Sequence, residues 1–273
     1  MKLGLSLRTM GPQSTRETLA ECARAAEDAG LDEIFVPDHI AIPPDDAEGS
    51  GGRYLDPLTA LAWLAAKTER IGLGTAVLIL PYRPVLPTAK AIATVQELSG
   101  NRLGALGVGV GWMIPEFRAL GVSPKSRARD TDRLLEFLVT AFAEDVVEQH
   151  GQKFLFLPRP PRPAILIGGA APHALARAAR FGDGWMPIGA KPAELAGHVQ
   201  ALRERFAAAG KPSPELAILT RLPLHEPNRA AELARAYADL GATRLVHSDR
   251  YKDAAELARS AEAIASRIRP AVA

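Results

Sequence analysis

Asp38 and His39 stand side by side directly after a short apolar run, Ile34-Phe35-Val36, that stops at Pro37. An imidazole titrates near pH ~6.5, so His39 can take or give a proton at neutral pH, and an adjacent carboxylate can bias it. As an isolated pair they read more readily as a turn cap and a rim hydrogen-bonder. Two further stretches have the composition of a ligand seat. Gly168-Gly169-Ala170-Ala171 runs into Pro172 at the start of a helical pattern, which leaves backbone amides at the positive end of a helix dipole and suits a phosphate. Gly74-Thr75-Ala76 and Gly107-Val108-Gly109-Val110-Gly111 strip side chains from two successive predicted strands and leave room for something flat against bare backbone. The same glycines also read as bulges that ease the curvature of a sheet.

Other chemistries fit less well. A zinc site needs three or four converging ligands; only Asp38, His39 and His247 fall at strand tips where they could meet, and His150, His173, His198 and His225 have no ligand spacing. The single cysteine, Cys22, lies on the Leu19/Ala23/Ala26 face of a helical pattern, where a buried thiol is expected. No nucleophile elbow is present.

The elements that must position these groups follow a steady beat. Lys2–Leu7 predicts a first strand, and Ser14-Thr15-Arg16-Glu17 has capping-box spacing for a helix that ends at Gly30. Glu33–Val36 is a second strand, followed by a Pro/Gly-rich loop over Pro37–Arg53, long enough to act as a lid. Asp56-Pro57 caps a second helix. Strands over Ile71–Leu80 and Arg102–Val110 flank a helix from Pro84 to Leu98, with a short extra helix at Trp112–Leu120 and a longer one at Thr131–Phe142. Val146–Leu157, turning at His150-Gly151, predicts a hairpin outside the pattern. Strands at Ala164–Ile167, Trp185–Ile188, Glu215–Thr220 and Thr243–His247 alternate with four more helices. Eight strand-then-helix units in one domain of 273 residues predict a (β/α)8 barrel. The alternative, an open doubly wound sheet, would carry a dinucleotide fingerprint after its first strand, where LSLRTMGPQ has none. In the barrel, the rim gathers Ser6 and Arg8, Asp38 and His39, Thr75 to Val77, Gly109 to Trp112, Gly168 to Ala171, Trp185 and Pro187, Thr220 and Arg221, and His247 and Ser248.

Composition excludes several classes. Hydrophobic residues make up 47% of the chain and the formal charge is +2, with Lys and Arg scattered rather than striped, so no nucleic-acid footprint is expected. No apolar run approaches the ~20 residues a membrane helix needs, and MKLGLSLRTM is too short and polar for a signal peptide. A soluble, cytoplasmic protein is expected.

Three stretches in this order, GTAVLILPYRPVLPTAKAIATVQELSGNR, LGVGVGW and PAILIGGAAPHALARAARFGDGW, resemble the bacterial-luciferase-like superfamily, and most of all its LLM-class flavin- or F420-dependent oxidoreductases. The resemblance implies a (β/α)8 barrel with a deazaflavin or isoalloxazine ring in its mouth. It places a non-proline cis peptide at Ala76-Val77 behind the ring, and Asp38 and His39 at the reactive edge. Gly109, Gly111 and Trp112 would flank the ring, and Gly168, Gly169, Ala170 and Ala171 would hold the phosphate, with Ser6 and Thr75 completing the cofactor-binding set. The implied activity is hydride transfer between F420 and a small carbonyl, alcohol or enone, with His39 as proton donor or acceptor and Asp38 orienting it or touching the cofactor. An FMN-dependent monooxygenase using O2 and a non-catalytic flavin-binding barrel are the alternatives. A homodimer is implied as well. Two departures stand out. F420-dependent sugar dehydrogenases carry glutamate where this chain has Trp112, and a tryptophan shortly after the histidine, so the acid that assists the deazaflavin is missing and sugar phosphate is a poor substrate. Gly104 also reads as one residue too many, which predicts a bulge in the fourth strand.

Overall fold

Local signals set each element of the chain, and the computed structural model describes residues 1–273. In chain order they are β1 (Lys2–Ser6), α1 (Arg16–Asp28), β2 (Glu33–Val36), α2 (Pro57–Ala65), β3 (Gly72–Ile79), α3 (Val85–Leu98), β4 (Leu103–Gly109), α4 (Ile114–Ala119) and α5 (Arg127–Ala141). Next come β5 (Val146–Gln149), β6 (Gln152–Leu155), β7 (Ala164–Gly168), α6 (His173–Phe181), β8 (Gly184–Met186), α7 (Pro192–Ala208), β9 (Glu215–Thr220), α8 (Pro227–Asp239), β10 (Arg244–His247) and α9 (Ala254–Ala263). Eight parallel strands close in the order β1-β10-β9-β8-β7-β4-β3-β2, the expected (β/α)8 barrel. β5 and β6 pair antiparallel outside it, turning through His150 and Gly151, both at positive φ. No helix is long and apolar enough to cross a membrane.

Caps form close to where the sequence puts them. Asp56 accepts from the Thr59 amide at 2.9 Å and opens α2. In α1 the cap is Thr15, whose hydroxyl accepts from the Thr18 amide at 3.2 Å. The predicted capping box on Ser14 does not form, because that hydroxyl donates to Gly11 O and accepts from Arg53 Nε at 2.8 Å.

The barrel interior is filled by large side chains set against glycines. At the floor, Glu33 accepts from Lys2 and Arg244, and Arg244 also pairs with Glu215. Above it, Phe35 lies where Gly74 has no side chain, and Met186 where Gly107 has none. Leu166, Leu219 and Val246 complete this inner layer. The larger core packs the outward faces of the strands on the helices.

Two bulges break the β3–β4 ladder. Leu73 pairs with Leu103 but Gly74 with Ala105, so Gly104 is the extra residue the sequence predicts. Further on, Thr75 pairs with Leu106 and Leu78 with Val108, so Ala76 and Val77 together face Gly107. The peptide between Ala76 and Val77 is cis.

Candidate active site

A cavity of about 290 Å³ opens at the C-terminal ends of β2, β3, β4 and β7. Val77, pushed forward by the bulge, forms its floor. A Cβ on Gly109 would lie 2.7 Å from Val77 Cγ2, and one on Gly168 would lie 2.9 Å from Val77 Cγ1. The glycines of β3 and β4 therefore make room mainly for the chain's own Phe35, Met186 and Val77, and the space left above Val77 is the cavity. Its walls include Asp38, His39, Ala76, Gly111, Trp112, Gly169 and Ile188. Trp112 is 68% exposed and Ile188 58%, a large apolar rim left open to water.

His39 is held from behind. Its Nδ1 lies 2.7 Å from Glu116 Oε2. Glu116 is fully buried at the start of α4 and also accepts from the amides of Ile40 (2.7 Å) and Ala41 (3.0 Å) and from the Tyr82 hydroxyl (2.9 Å). Burial alone would raise this carboxyl; the two amides and His39 hold it below its ordinary value. An ionised carboxylate only accepts, so His39 Nδ1 carries the proton and Nε2 is the free nitrogen on the cavity side. Burial and the bond to Glu116 push the Tyr82 hydroxyl up, so it stays protonated and donating. The Tyr54 and Trp112 rings meet the imidazole edge-on, with centroids 5.0 and 6.1 Å away.

Asp38 does not orient His39. Its carboxylate takes the guanidinium fork of Arg83 at 2.6 and 2.9 Å and the Ile79 amide at 2.8 Å. Burial pushes this carboxyl upward and the Arg83 fork pulls against the rise. Arg83, shared with Asp56 at 3.0 Å, stays above its ordinary value despite its burial. Asp38 thus ties the tip of β2 to the turn after β3.

The loop after β7 has its own anchor: Trp185 Nε1 donates to Gly169 O at 2.8 Å. The amides of Gly169, Ala170 and Ala171 find no partner within the chain, and no side chain caps α6. Three free donors ahead of a helix N-terminus can hold a phosphate.

The structure brings Asp38, His39, Ala76, Val77, Gly109, Gly111, Trp112, Gly168 and Gly169 around one cavity; Ala170 and Ala171 do not line it but follow Gly169 directly in the chain. It leaves two of the expected residues out. Thr75 is buried and donates to Gly107 O at 2.7 Å, because β3 turns it away from the barrel axis. Ser6 opens into a different depression. His247 also faces away: its Nδ1 accepts from the Leu222 amide at 3.0 Å, and burial pushes its pKa down to about 4. No group of three or more His, Cys, Asp or Glu converges as a metal site would require. The sequence reading missed Glu116, Tyr82, Arg83 and Tyr54. The position of Trp112 stays without an acid, and Glu116, four residues on, lies behind the imidazole.

Comparison with known proteins places this geometry in a family. The model for the luciferase-like monooxygenase family matches residues 2–272. An F420-dependent glucose-6-phosphate dehydrogenase from Kineococcus radiotolerans is 31% identical over 279 residues, covering 95% of this chain and 80% of the relative. A putative coenzyme F420-dependent oxidoreductase from Mycobacterium tuberculosis is 32% identical over 236 residues, covering 77% of this chain and 62% of the relative. Among solved structures, an F420-dependent secondary alcohol dehydrogenase bound to an F420-acetone adduct superposes with a TM-score of 0.81 at 17% identity, over 100% of this chain and 99% of the other. A monooxygenase from Streptomyces bottropensis gives 0.80 at 22% identity, over 100% of both chains. At these identities the two structures share the fold.

Proposed function

We propose that this chain, which belongs to the luciferase-like monooxygenase family, is an oxidoreductase that passes hydride between coenzyme F420 and a small organic carbonyl, alcohol or enone. The observation that carries the reading is His39, locked by a buried carboxylate on Nδ1 and lining the cavity at the barrel mouth. Relatives named for F420 at 31% and 32% identity favour this cofactor over FMN.

The residues fit a flavin-like group. The floor of Val77 backed by Gly109 and Gly168 would take a flat ring, the exposed Trp112 and Ile188 would cover its apolar faces, and the free amides of Gly169 to Ala171 would hold its phosphate. The cofactor, when bound, supplies the two-electron chemistry; the protein supplies position and electrostatics. His39 Nε2 takes the hydroxyl proton of an alcohol as its carbon loses hydride, and returns that proton to a carbonyl oxygen in the reverse direction. Glu116 holds the proton of the neutral ring on Nδ1, which makes Nε2 the accepting nitrogen, and it stabilises the imidazolium once that forms. Tyr82 and the Ile40 and Ala41 amides keep Glu116 in place. The same family membership leads us to expect a cytoplasmic homodimer, which light scattering of the purified chain checks for assembly.

Titration of the purified protein with F420 and with FMN, each followed by fluorescence, tests the reading. F420 binding at micromolar concentration, with His39→Ala retaining that binding but losing about 10²–10⁴-fold in turnover, is the expected result. FMN bound in preference, with O2 consumed, would replace hydride transfer by monooxygenation. Retained binding with no turnover over a substrate panel would make the barrel a carrier.

A further inference from the structure

Beside the cavity, above β1, β9 and β10, lies a second depression of about 330 Å³ with a different chemistry. Its walls include Ser6, Arg8, Arg221, Ser248, Asp249 and Arg250. Strand parity places it inside the barrel mouth. Gly4 faces the Phe35 ring and Leu219 and Val246 belong to the inner layer, so Ser6, Arg8, Arg221 and Ser248 continue the inward-facing rows of their strands.

Three guanidiniums face a single carboxylate here. Asp249 is taken up by Arg221 at 2.8 Å. Neither Arg8 nor Arg250 pairs with an acid; Glu256, on the neighbouring groove with Arg250, accepts from the Lys252 amide. Arg8 donates Nη2 to Gly49 O at 3.2 Å, while its Nε is buried with no partner at all. Arg8 Nη1 and the Arg250 guanidinium also donate to nothing in the chain and are not buried, and a guanidinium fork matches a carboxylate or a phosphate.

We propose that this depression seats an anionic group, carboxylate or phosphate, of the organic substrate. The proposal rests on reading His39 as the acid–base residue. The cofactor cavity occupies the sector of β2, β3, β4 and β7 and has its own anion seat in the amides after β7. The sector of β1, β9 and β10 is left for the second reactant. β1 is the direct neighbour of β2, whose tip carries His39. Strands lie about 4.8 Å apart, so Arg8, Arg250 and Arg221, after β1, β10 and β9, stand one, two and three spacings from the tip of β2, about 5–14 Å along the rim. A substrate that spans this gap is a small organic acid or phosphate ester.

The remaining source of such an anion is the acidic tail of the cofactor itself, and the test separates the two. Inorganic phosphate is titrated by calorimetry into the chain with and without F420, for wild type and for Arg221→Gln/Arg250→Gln, both exposed positions; Arg8→Gln is the second variant. F420 affinity is measured in each by fluorescence. The expected result is one phosphate site with Kd at or below about 1 mM in the F420-loaded wild type, loosened about tenfold or more in the variants, with F420 affinity unchanged within about twofold. Equal phosphate binding in wild type and variants would overturn the seat. Phosphate excluded by F420, with cofactor affinity about tenfold weaker in the variants, would overturn its assignment to the substrate. Failure of F420 to bind would strike the functional reading alone, because the titration without cofactor still reads the arginines.

Discussion

Glu116→Gln probes the site at one atom. Glu116 accepts four hydrogen bonds, two on Oε1 from Ile40 and Ala41 and two on Oε2 from His39 and Tyr82. Glutamine can keep the oxygen at the amides, which puts its NH2 where Oε2 was. Tyr82 answers by rotating its hydroxyl. His39 cannot rotate a proton: its Nδ1 must become the acceptor, which moves the hydrogen to Nε2. The cavity then meets a donor where it met a lone pair, and the base is lost. The whole contribution of proton transfer is at stake, about 10²–10⁴-fold in turnover. Stability falls by about 1.5–3 kcal/mol, the worth of a hydrogen bond to a charged group. The assay pairs steady-state rates with imidazole nitrogen NMR, which reads the tautomer without a substrate. F420 affinity stays near wild type, since Glu116 lies behind His39. A variant with the wild-type tautomer, or with turnover within about threefold of wild type, would refute the reasoning, because the effect predicted for proton transfer starts near 10².

Three further outcomes follow from the geometry. Arg83→Met leaves the buried Asp38 carboxylate without its fork and should cost about 3–5 kcal/mol in urea unfolding; adding Asp38→Asn should recover a good part of that loss, and no recovery would mean that Arg83 stabilises by packing alone. Trp185→Phe removes the indole bond that pins Gly169 O and should weaken F420 binding about five- to tenfold, a loss of ~1–1.5 kcal/mol; unchanged affinity would show that the loop after β7 needs no such anchor. His247 titrates at about 4 in the fold against ~6.5 unfolded, so the unfolded chain binds the extra proton between these values. Its contribution is complete above pH ~6.5 and is lost as pH falls towards 4, about 3 kcal/mol in all. Unfolding curves at pH 7 and 4.5 should therefore converge in His247→Gln relative to wild type, whose slope in this window would otherwise have to come from another group.

Local pattern was enough for most of the scaffold. Glu33–Val36 and Glu215–Thr220 are strands with the bounds that their apolar runs and flanking turn residues imply. Gly104 shows up as an insertion because the β3–β4 register has no place for it. What the sequence hid is pairing at a distance. His39 and Glu116 are 77 residues apart and Asp38 and Arg83 are 45 apart. No periodicity links such positions. Glu116, third in a helix that opens Ile-Pro-Glu, reads locally as an acid complementing the helix dipole. Asp38 misleads for the opposite reason: adjacency to His39 suggests a bond, yet its carboxylate is taken by Arg83 and the Ile79 amide while the imidazole is taken by Glu116. The glycines were ambiguous because space against backbone can be filled by the chain or by a ligand, and Gly74, Gly107 and Gly109 are matched by the chain's own Phe35, Met186 and Val77.

These separate partners are what makes the site rigid. Two dipeptides, Asp38-His39 after β2 and Tyr82-Arg83 after β3, are joined by both of their members. Arg83 grips Asp38 directly, and Tyr82 reaches His39 through Glu116. The Ile79 amide binds Asp38 as well, so the turn that leaves the Ala76-Val77 bulge is fixed to the strand tip that carries the imidazole. The floor of the cavity and its acid–base residue are thereby set relative to each other by buried, charge-assisted bonds. A proton and a hydride can leave one substrate carbinol together only if the acceptor of each is held in register, and these two turns are the part of the chain that holds it.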